Sequence, residues 1–569
     1  MEENQKMVEV GRTETSPPHA GSVVGHQPSP HPLLPAAVQA EYRRRGYWED
    51  LTLADVVQGW ARRDPDRVAI VGDESITYAE LWDRSRRLAA ALAAAGVQTG
   101  EFVVAVMSNS WQGVVLAVAS SVAGVALSPL SSRTSPTLAM NLFDQVGARA
   151  LVLQADLLGQ EEWRAALATR RDHPIMLQGE APPVSGYESL PSLEVCASAG
   201  PLMEQRDRDP GRPSLVISTG GTTGRPKSVL QCANALIYAA RRFAAATDFT
   251  EADVHVAFGP YGHASGSVFE VYMPLLHGAA ILPIARWQAL PVAEAIARWG
   301  GTYCITVGTH IFDLLALEPG TEPLLRSLRL VTSGAGPDHL FEDAERRFGF
   351  PIVRVFGLSE CMGHAIGRPG DTPEVRLHHD GVPFNGVEHR ILDPLGEPVP
   401  PGTPGEYFCR APSLFMGYFG QPELTAASVT PDGFYRTGDL MVEDARGYLT
   451  WSGRLKDIIR RGGLQIDAVE MENMLAEHPK IAEVVVVGEP DARVGERAVA
   501  VVVCRDENDR PGLEDLCRHL MSEGIGKESL PERLVFATSL PRTEFGKFHR
   551  VEIRKWLAEQ TPTAPVPGS

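Results

Sequence analysis

Between residues 68 and 332 the chain switches repeatedly between two spacings of apolar residues. Residues 68–71, 102–107, 148–153, 254–258, 279–282, 303–307 and 328–332 are short, nearly continuous apolar runs and read as strands. Residues 51–63, 78–95, 113–123 and 233–245 carry apolar residues at helical spacing. Strands that are apolar throughout need cover on both faces, and the helices between them supply it. This alternation predicts an α/β fold of layered, largely parallel sheets. Residues 68–71 and 75–78 read as a hairpin, and Thr77 opens a helix that Gly96 ends.

The texture changes near Gly381. Short strands separated by Gly, Pro and Asp-Gly turns predict an antiparallel β subdomain to about Trp451. After Gly453, a helix over 469–476, strands over 484–487 and 498–503, and a helix over 513–521 predict a small α+β unit. The expected organisation is a disordered leader over 1–39, a large N-terminal domain over 40–455, a small C-terminal domain over 456–557 and a tail over 558–569. At 569 residues and 44% hydrophobic content, several large cores are affordable.

A formal net charge of -18 argues against non-specific binding to nucleic acid or anionic membrane, which needs basic surface. The most apolar segment, 113–127, is shorter than the ~20 residues that span a bilayer. The seven cysteines form no CxxC pair, which predicts buried structural thiols, no zinc site and a reduced, cytoplasmic setting.

The densest chemical signal lies in Ser218, Thr219, Gly220, Gly221, Thr222, Thr223, Gly224, Arg225, Pro226 and Lys227. Apolar runs on either side read as strands. Glycines let backbone N–H groups turn into a concave anion site, hydroxyls add donors, and Arg225 and Lys227 add charge. Pro226 before the lysine and a strand-like exit exclude a Walker A loop. The bland alternative is a flexible surface turn.

Five further motifs follow: Ser333-Gly334-Ala335-Gly336-Pro337, Phe356-Gly357-Leu358-Ser359-Glu360, Tyr435-Arg436-Thr437-Gly438-Asp439, Gly453-Arg454-Leu455-Lys456-Asp457, and Pro541-Arg542-Thr543-Glu544-Phe545-Gly546-Lys547. With the loop, they make the chain resemble the adenylate-forming superfamily of acyl-CoA synthetases, aryl-acid ligases and adenylation domains from about residue 50 to 555. The texture is most similar to cyclohexanecarboxylate-type acyl-CoA ligases.

The resemblance implies ATP-dependent activation of a carboxylic acid, with pyrophosphate release and then transfer to the thiol of CoA or of a carrier-protein phosphopantetheine. It implies that Thr219 to Gly224 and Lys227 hold the outer phosphates. Glu360 binds Mg2+ and Ser359 reaches a phosphate. Gly334, Ala335, Gly336, Phe356 and Gly357 lie along adenine. Asp439 takes the ribose hydroxyls, Arg454 reaches ribose or phosphate, and Trp451 flanks the nucleotide or packs in the core. Lys547 is the implied catalytic lysine, Lys456 the hinge, and Gly462 and Gly463 line the pantetheine path.

His263 resembles a gate beside an acid pocket lined by Ala264, Gly266, Ser267, Thr309, His310, Ser333, Gly334 and Cys361. With no fixed negative charge at His263, an α-amino acid substrate is not expected. Gly220, Ser228 and Leu464-Gln465 depart from the family pattern, so tuned phosphate binding and an altered thiol path are expected. A luciferase-like oxygen chemistry and a non-catalytic ligand sensor remain as alternatives from other classes.

Overall fold

The computed structural model describes residues 29–170, 172–180, 190–206, 209–219, 227–334, 336–455, 457–461, 464–466, 468–491, 493–523, 525–542 and 548–560. Two large mixed sheets dominate it. The seven-stranded sheet runs in the order Gly417–Tyr418, Lys227–Cys232, Pro213–Thr219, Ala126–Ser131, Phe102–Met107, Ala150–Gln154, Ile175–Gln178. Its pairings from Pro213–Thr219 to Ile175–Gln178 are parallel, and its other two pairings are antiparallel. The nine-stranded sheet has a parallel centre that includes Ile352–Phe356, Leu330–Ser333, Tyr303–Thr306, Val254–Ala257 and Ala280–Pro283.

The strand alternation decides how these sheets are covered. In Phe102–Met107, Val103 and Ala105 join the largest core, which takes in residues of both sheets and of the helices Tyr78–Ala94, Trp111–Ala123 and Ala233–Ala246. Val104 and Val106 point the other way, into a second core with Ala139, Leu142 and Trp163. Both faces are therefore apolar, as the continuous run required. The helix Tyr78–Ala94 begins with a capping box in which Thr77 accepts from the Glu80 N–H. In Trp111–Ala123, a side chain at Gly113 would collide with the Tyr261 ring, so glycine lets this helix approach the loop around His263.

An antiparallel four-stranded sheet follows, in the order Glu388–Leu392, Gly405–Arg410, Tyr435–Glu443, Leu449–Arg454. The last sheet is built around Ile481–Asp491 and Gly495–Cys504 and carries its own two cores. No helix among the described residues is long and apolar enough to cross a membrane.

Three expectations need correction. The leader does not extend to residue 39. His31 and Leu34 are buried, the His31 ring bonds the Leu414 carbonyl at 3.0 Å, and a helix begins at Ala36. Apolar anchors scattered among prolines carry no period, so this segment reads as disorder. The expected tail begins too early, because the last helix, Arg550–Gln560, runs past residue 557. The β texture after Gly381 is not one subdomain: Val382–Pro383 joins the nine-stranded sheet and Gly417–Tyr418 the seven-stranded one.

Burial also sets a pH response. It lowers the His31, His255, His277 and His310 pKa values to about 4 each, with Arg241 adding to the effect at His277 and Arg133 at His310. Burial raises Glu270 to about 8, against one hydrogen bond from the Gly259 N–H. Above pH 6.5 both states of each histidine are neutral. Below it the unfolded chain takes up protons that the native state refuses until about pH 4, so stability falls with pH. Glu270 has the opposite sign, because its native state holds a proton that the unfolded chain has lost above pH 4.5. Four histidines outweigh one acid between pH 6.5 and 5. Urea unfolding is expected to show a loss of about 3–5 kcal/mol on going from pH 7 to 5. A flat or rising stability over that range would contradict this balance.

Candidate active site

The strands Pro213–Thr219 and Lys227–Cys232 pair with Thr219 opposite Lys227, so the glycine-rich stretch joins an antiparallel pair at its open end. Residues 220–226, with Gly220, Gly221, Thr222, Thr223 and Gly224, lie outside the described residues, as do Ala335, Lys456, Gly462, Gly463 and Lys547. The loop exit is well anchored. Tyr418 sits opposite Val229 in the neighbouring strand, and its ring lies 4.8 Å from Lys227 Nζ. The Tyr418 hydroxyl donates to Glu360 Oε1 at 2.7 Å. Gln231 Nε2 donates to the Ser359 carbonyl at 2.9 Å, and the Phe415 N–H to the Glu360 carbonyl at 2.8 Å. One ladder thus carries the lysine and holds the Ser359-Glu360 turn beside it. Burial, then the Glu360 charge, raises the Tyr418 pKa far above the usual phenol range, so Tyr418 remains a donor.

A second carboxylate is built at the end of the four-stranded sheet. Gly438, at φ 70°, turns the strand Tyr435–Glu443, and Asp439 pairs in register with Arg454. The Asp439 side chain is fully buried. Its Oδ1 accepts from Arg454 Nε at 2.8 Å and Trp451 Nε1 at 3.1 Å. Its Oδ2 is buried without a partner among the described residues. A buried carboxylate oxygen with two free lone pairs suits a ligand offering hydroxyl donors. Trp451 packs against the core and spends its N–H on Asp439, so it orients the acid.

Ser333 ends a central strand, with its Oγ buried and unpartnered among the described residues. The Gly334 N–H donates to the Thr306 carbonyl at 3.1 Å. A Cβ on Gly336 would lie 2.9 Å from Gly308 Cα, and one on Gly357 2.8 Å from Gly363 Cα. Both glycines are explained by backbone packing. Phe356 is half-buried, edge-on to His364 at 5.1 Å.

His263 follows Gly262 on a tight loop. Its Nδ1 lies 2.7 Å from Ser265 Oγ and its carbonyl accepts from the Ser267 N–H at 3.0 Å. The chain then forms a π-helix, Ser265–Tyr272, that buries Ser267 and Glu270. Ala264 is buried and Gly266 packs on the Gly259 and Pro260 carbonyls. Thr309 is exposed on the helix Gly308–Leu315. His310, beside it, meets Trp287 at 4.4 Å, and burial, aided by Arg133, lowers its pKa to about 4. Cys361, expected on the pocket wall, follows Glu360 directly in the chain. Its thiol is fully buried and grouped with His364 and Cys409.

Sequence reasoning missed Tyr418 and Asn109. Asn109 Nδ2 bonds the Gly259 carbonyl at 2.8 Å, fixing the loop that leads to His263. Neither lies in a motif. Tyr418 acts on Glu360 from 58 residues along the chain, and only the strand pairing brings them together.

The family model described as AMP-binding enzyme matches residues 57–419, and that described as AMP-binding enzyme C-terminal domain matches residues 470–547. A medium-chain fatty-acid–CoA ligase of Escherichia coli is 29% identical over 523 residues, covering 91% of this chain and 92% of its own. A salicyl-AMP ligase / salicyl-S-ArCP synthetase of Mycobacterium tuberculosis is 32% identical over 579 residues, covering 97% and 99%. Among solved structures, ATP-bound MatB from Rhodopseudomonas palustris superposes with a TM-score of 0.78 at 25% identity, covering 88% of this chain and 98% of its own.

The geometry around Asp439 predicts a stability effect. Asp439→Ala removes the acceptor shared by Arg454 and Trp451. The Arg454 side chain is 39% exposed and can turn toward water, so the loss is expected at about 2 kcal/mol, below the usual cost of breaking a fully buried pair. Denaturant unfolding of the ligand-free chain checks this. A change within about 0.5 kcal/mol would mean that the pair adds no net stability.

Proposed function

Because the chain belongs to the AMP-binding enzyme family, we propose that it couples ATP to the joining of a carboxylic acid and the thiol of coenzyme A. The observation that carries this reading is Asp439: a fully buried carboxylate with one oxygen held by Arg454 and Trp451 and the other without a partner among the described residues. Leaving a buried acceptor unpaired costs about 1–3 kcal/mol, and a ribose with two hydroxyls removes that cost on binding.

A carboxylate is a poor electrophile, being anionic and lacking a usable leaving group. Attack of its oxygen on the α-phosphorus of ATP forms an acyl-adenylate and expels pyrophosphate. The thiol then attacks the acyl carbon and AMP leaves. The first step brings anions together, so the protein's task is positioning and charge stabilisation. Thr219, Lys227 and the loop between them bind the β- and γ-phosphates. Glu360, oriented by Tyr418, would hold magnesium through carboxylate oxygen, and the ion would supply charge stabilisation to the phosphates. Ser359 faces the same phosphates. Gly334, Ala335, Gly336, Phe356 and Gly357 lie along adenine, and Arg454 beside the ribose.

Lys547 bridges the acid and the α-phosphate as they meet. Rotation at Lys456 then withdraws it and opens the pantetheine path along Gly462 and Gly463. His263 gates the acid pocket, with Ala264, Gly266, Ser267, Thr309, His310 and Ser333 near its wall. Histidine at 263 supplies no fixed anion for an α-ammonium, which favours acids without an α-amino group. The seven free cysteines favour a reducing, cytoplasmic setting. The domain division proposed is a large unit to Leu455 and a small mobile unit from Lys456.

A second reading is transfer to a carrier-protein phosphopantetheine. The match to the salicyl-AMP ligase along 97% of this chain favours it. The experiment is an acid panel read by ATP-dependent pyrophosphate release, followed by addition of CoA or a phosphopantetheinylated carrier protein. Acid-dependent release is expected, with thioester forming on CoA. Lys547→Ala should lower adenylation by ~10²–10³. Release with transfer only to the carrier would replace the first reading by the second. No release with any acid would leave a ligand sensor.

A further inference from the structure

Beneath Glu360 lies a group of side chains that adenylation does not use. Cys361 and His364 belong to the turn after Glu360. Cys409 comes from the strand Gly405–Arg410. The two sulfurs and one ring nitrogen of His364 lie within 4.8 Å of one another, and all three residues are fully buried. Ser413, equally buried, places its Oγ 3.9 Å from Cys361 Sγ.

We propose that Cys361, His364 and Cys409 form a closed site for a thiophilic divalent ion, Zn2+, that staples the Glu360 turn to the neighbouring sheet.

The imidazole is prepared for this role. His364 Nδ1 lies 3.1 Å from the Cys361 carbonyl oxygen, which places the ring proton on Nδ1. That leaves the lone pair on Nε2, which is buried with no partner among the described residues. A metal-bound histidine characteristically donates its other ring N–H to a carbonyl or carboxylate, fixing its tautomer. The ring is further fixed by stacking on Tyr407 at 5.4 Å, the planes 5° apart.

The donor set selects the ion. Magnesium and calcium take oxygen ligands, whereas two sulfurs and an imidazole suit zinc. Binding releases one proton from each thiol to solvent and keeps the Nδ1 proton. Two thiolates and Zn2+ then sum to zero charge, which a fully buried site needs. A monovalent ion would leave a buried negative charge directly after Glu360. Zinc bonds of about 2.3 Å to sulfur and 2.0–2.1 Å to nitrogen bring tetrahedral ligands within about 4 Å of one another. Closing the present group therefore needs side-chain shifts on the order of an ångström. Ser413 or a water completes the fourth position. Since none of the three residues reaches the surface, the ion enters as the chain folds.

The test is to produce the full chain in medium supplied with zinc, and separately with cobalt, and to desalt it. The expected result is about one ion per chain by mass spectrometry of metal content. The cobalt form should show thiolate-to-metal charge transfer in the near ultraviolet and tetrahedral visible bands. Cys409→Ser and His364→Gln should lower metal content at least tenfold. Cys304→Ser, a buried thiol elsewhere, should keep it, and Glu360→Gln should keep the charge-transfer band. If the cluster variants fail to fold, the unmutated cobalt spectrum decides alone. The proposal is overturned by metal content below about a tenth of an ion per chain, or by cobalt without a thiolate band. A chain lighter by two hydrogens with a Cys361–Cys409 crosslinked peptide would also overturn it, making the pair a disulfide instead.

Discussion

A carboxylate removed from water must be held by donors in fixed places, and this requirement organises the structure around Asp439 and Glu360. Asp439 draws its donors from the next strand, where the register that sets Asp439 opposite Arg454 also brings Trp451 within reach. Glu360 draws its donor from a strand of a different sheet. Neither acid could be buried until these pairings had formed. The positive φ at Gly438 and Gly453 lets the two strands carry this register.

The edge of the seven-stranded sheet does comparable work. Its parallel centre is ordinary α/β layering. The antiparallel strands added on one side bring Lys227, Val229 and Tyr418 into one ladder, with Lys227 against the Tyr418 ring and Glu360 bonded to the Tyr418 hydroxyl. A lysine near a carboxylate would usually pair with it directly. Here the Tyr418 phenol contacts both, its ring 4.8 Å from Lys227 Nζ and its hydroxyl donating to Glu360 Oε1.

Strand periodicity made most of the fold legible, because residues 102–107 and 303–307 can satisfy both faces only inside layered sheets. The motif residues of the site were legible for a related reason: Asp439 with Arg454, and Ser359 with Glu360, lie close together in sequence. Contacts set by register were not legible. Tyr418, Gln231 and Asn109 carry no local signal, and their partners lie far away in the chain. The packed segment from Ser29 to Pro35 was hidden because His31 and Leu34 are anchored by tertiary contacts to residues such as Leu414 and not by any period of their own. Cysteine spacing likewise hid the grouping of 361, 364 and 409, since separations of three and forty-five residues match no ligand pattern.

The two departures in the glycine-rich loop therefore differ in kind. Ser228 stands where a glycine is common, yet its backbone is wholly within the ladder. It pairs with Ser218, and its carbonyl accepts from the Phe419 N–H at 2.8 Å. Its hydroxyl is fully buried and unpartnered among the described residues. Such a hydroxyl costs about 1–3 kcal/mol, but it bears on the strand and leaves Lys227, one residue earlier, directed at Tyr418. The substitution is thus absorbed by folding stability and not by phosphate recognition. Gly220 adds no such burden, since glycine brings no group to bury. Under the proposed function, what it removes is a hydroxyl donor, which would leave the backbone, Thr219, Thr222, Thr223 and Lys227 as the groups proposed to meet the phosphates. On that proposal any tuning of nucleotide binding belongs to Gly220, and the cost at Ser228 is a separate matter of the strand that carries it.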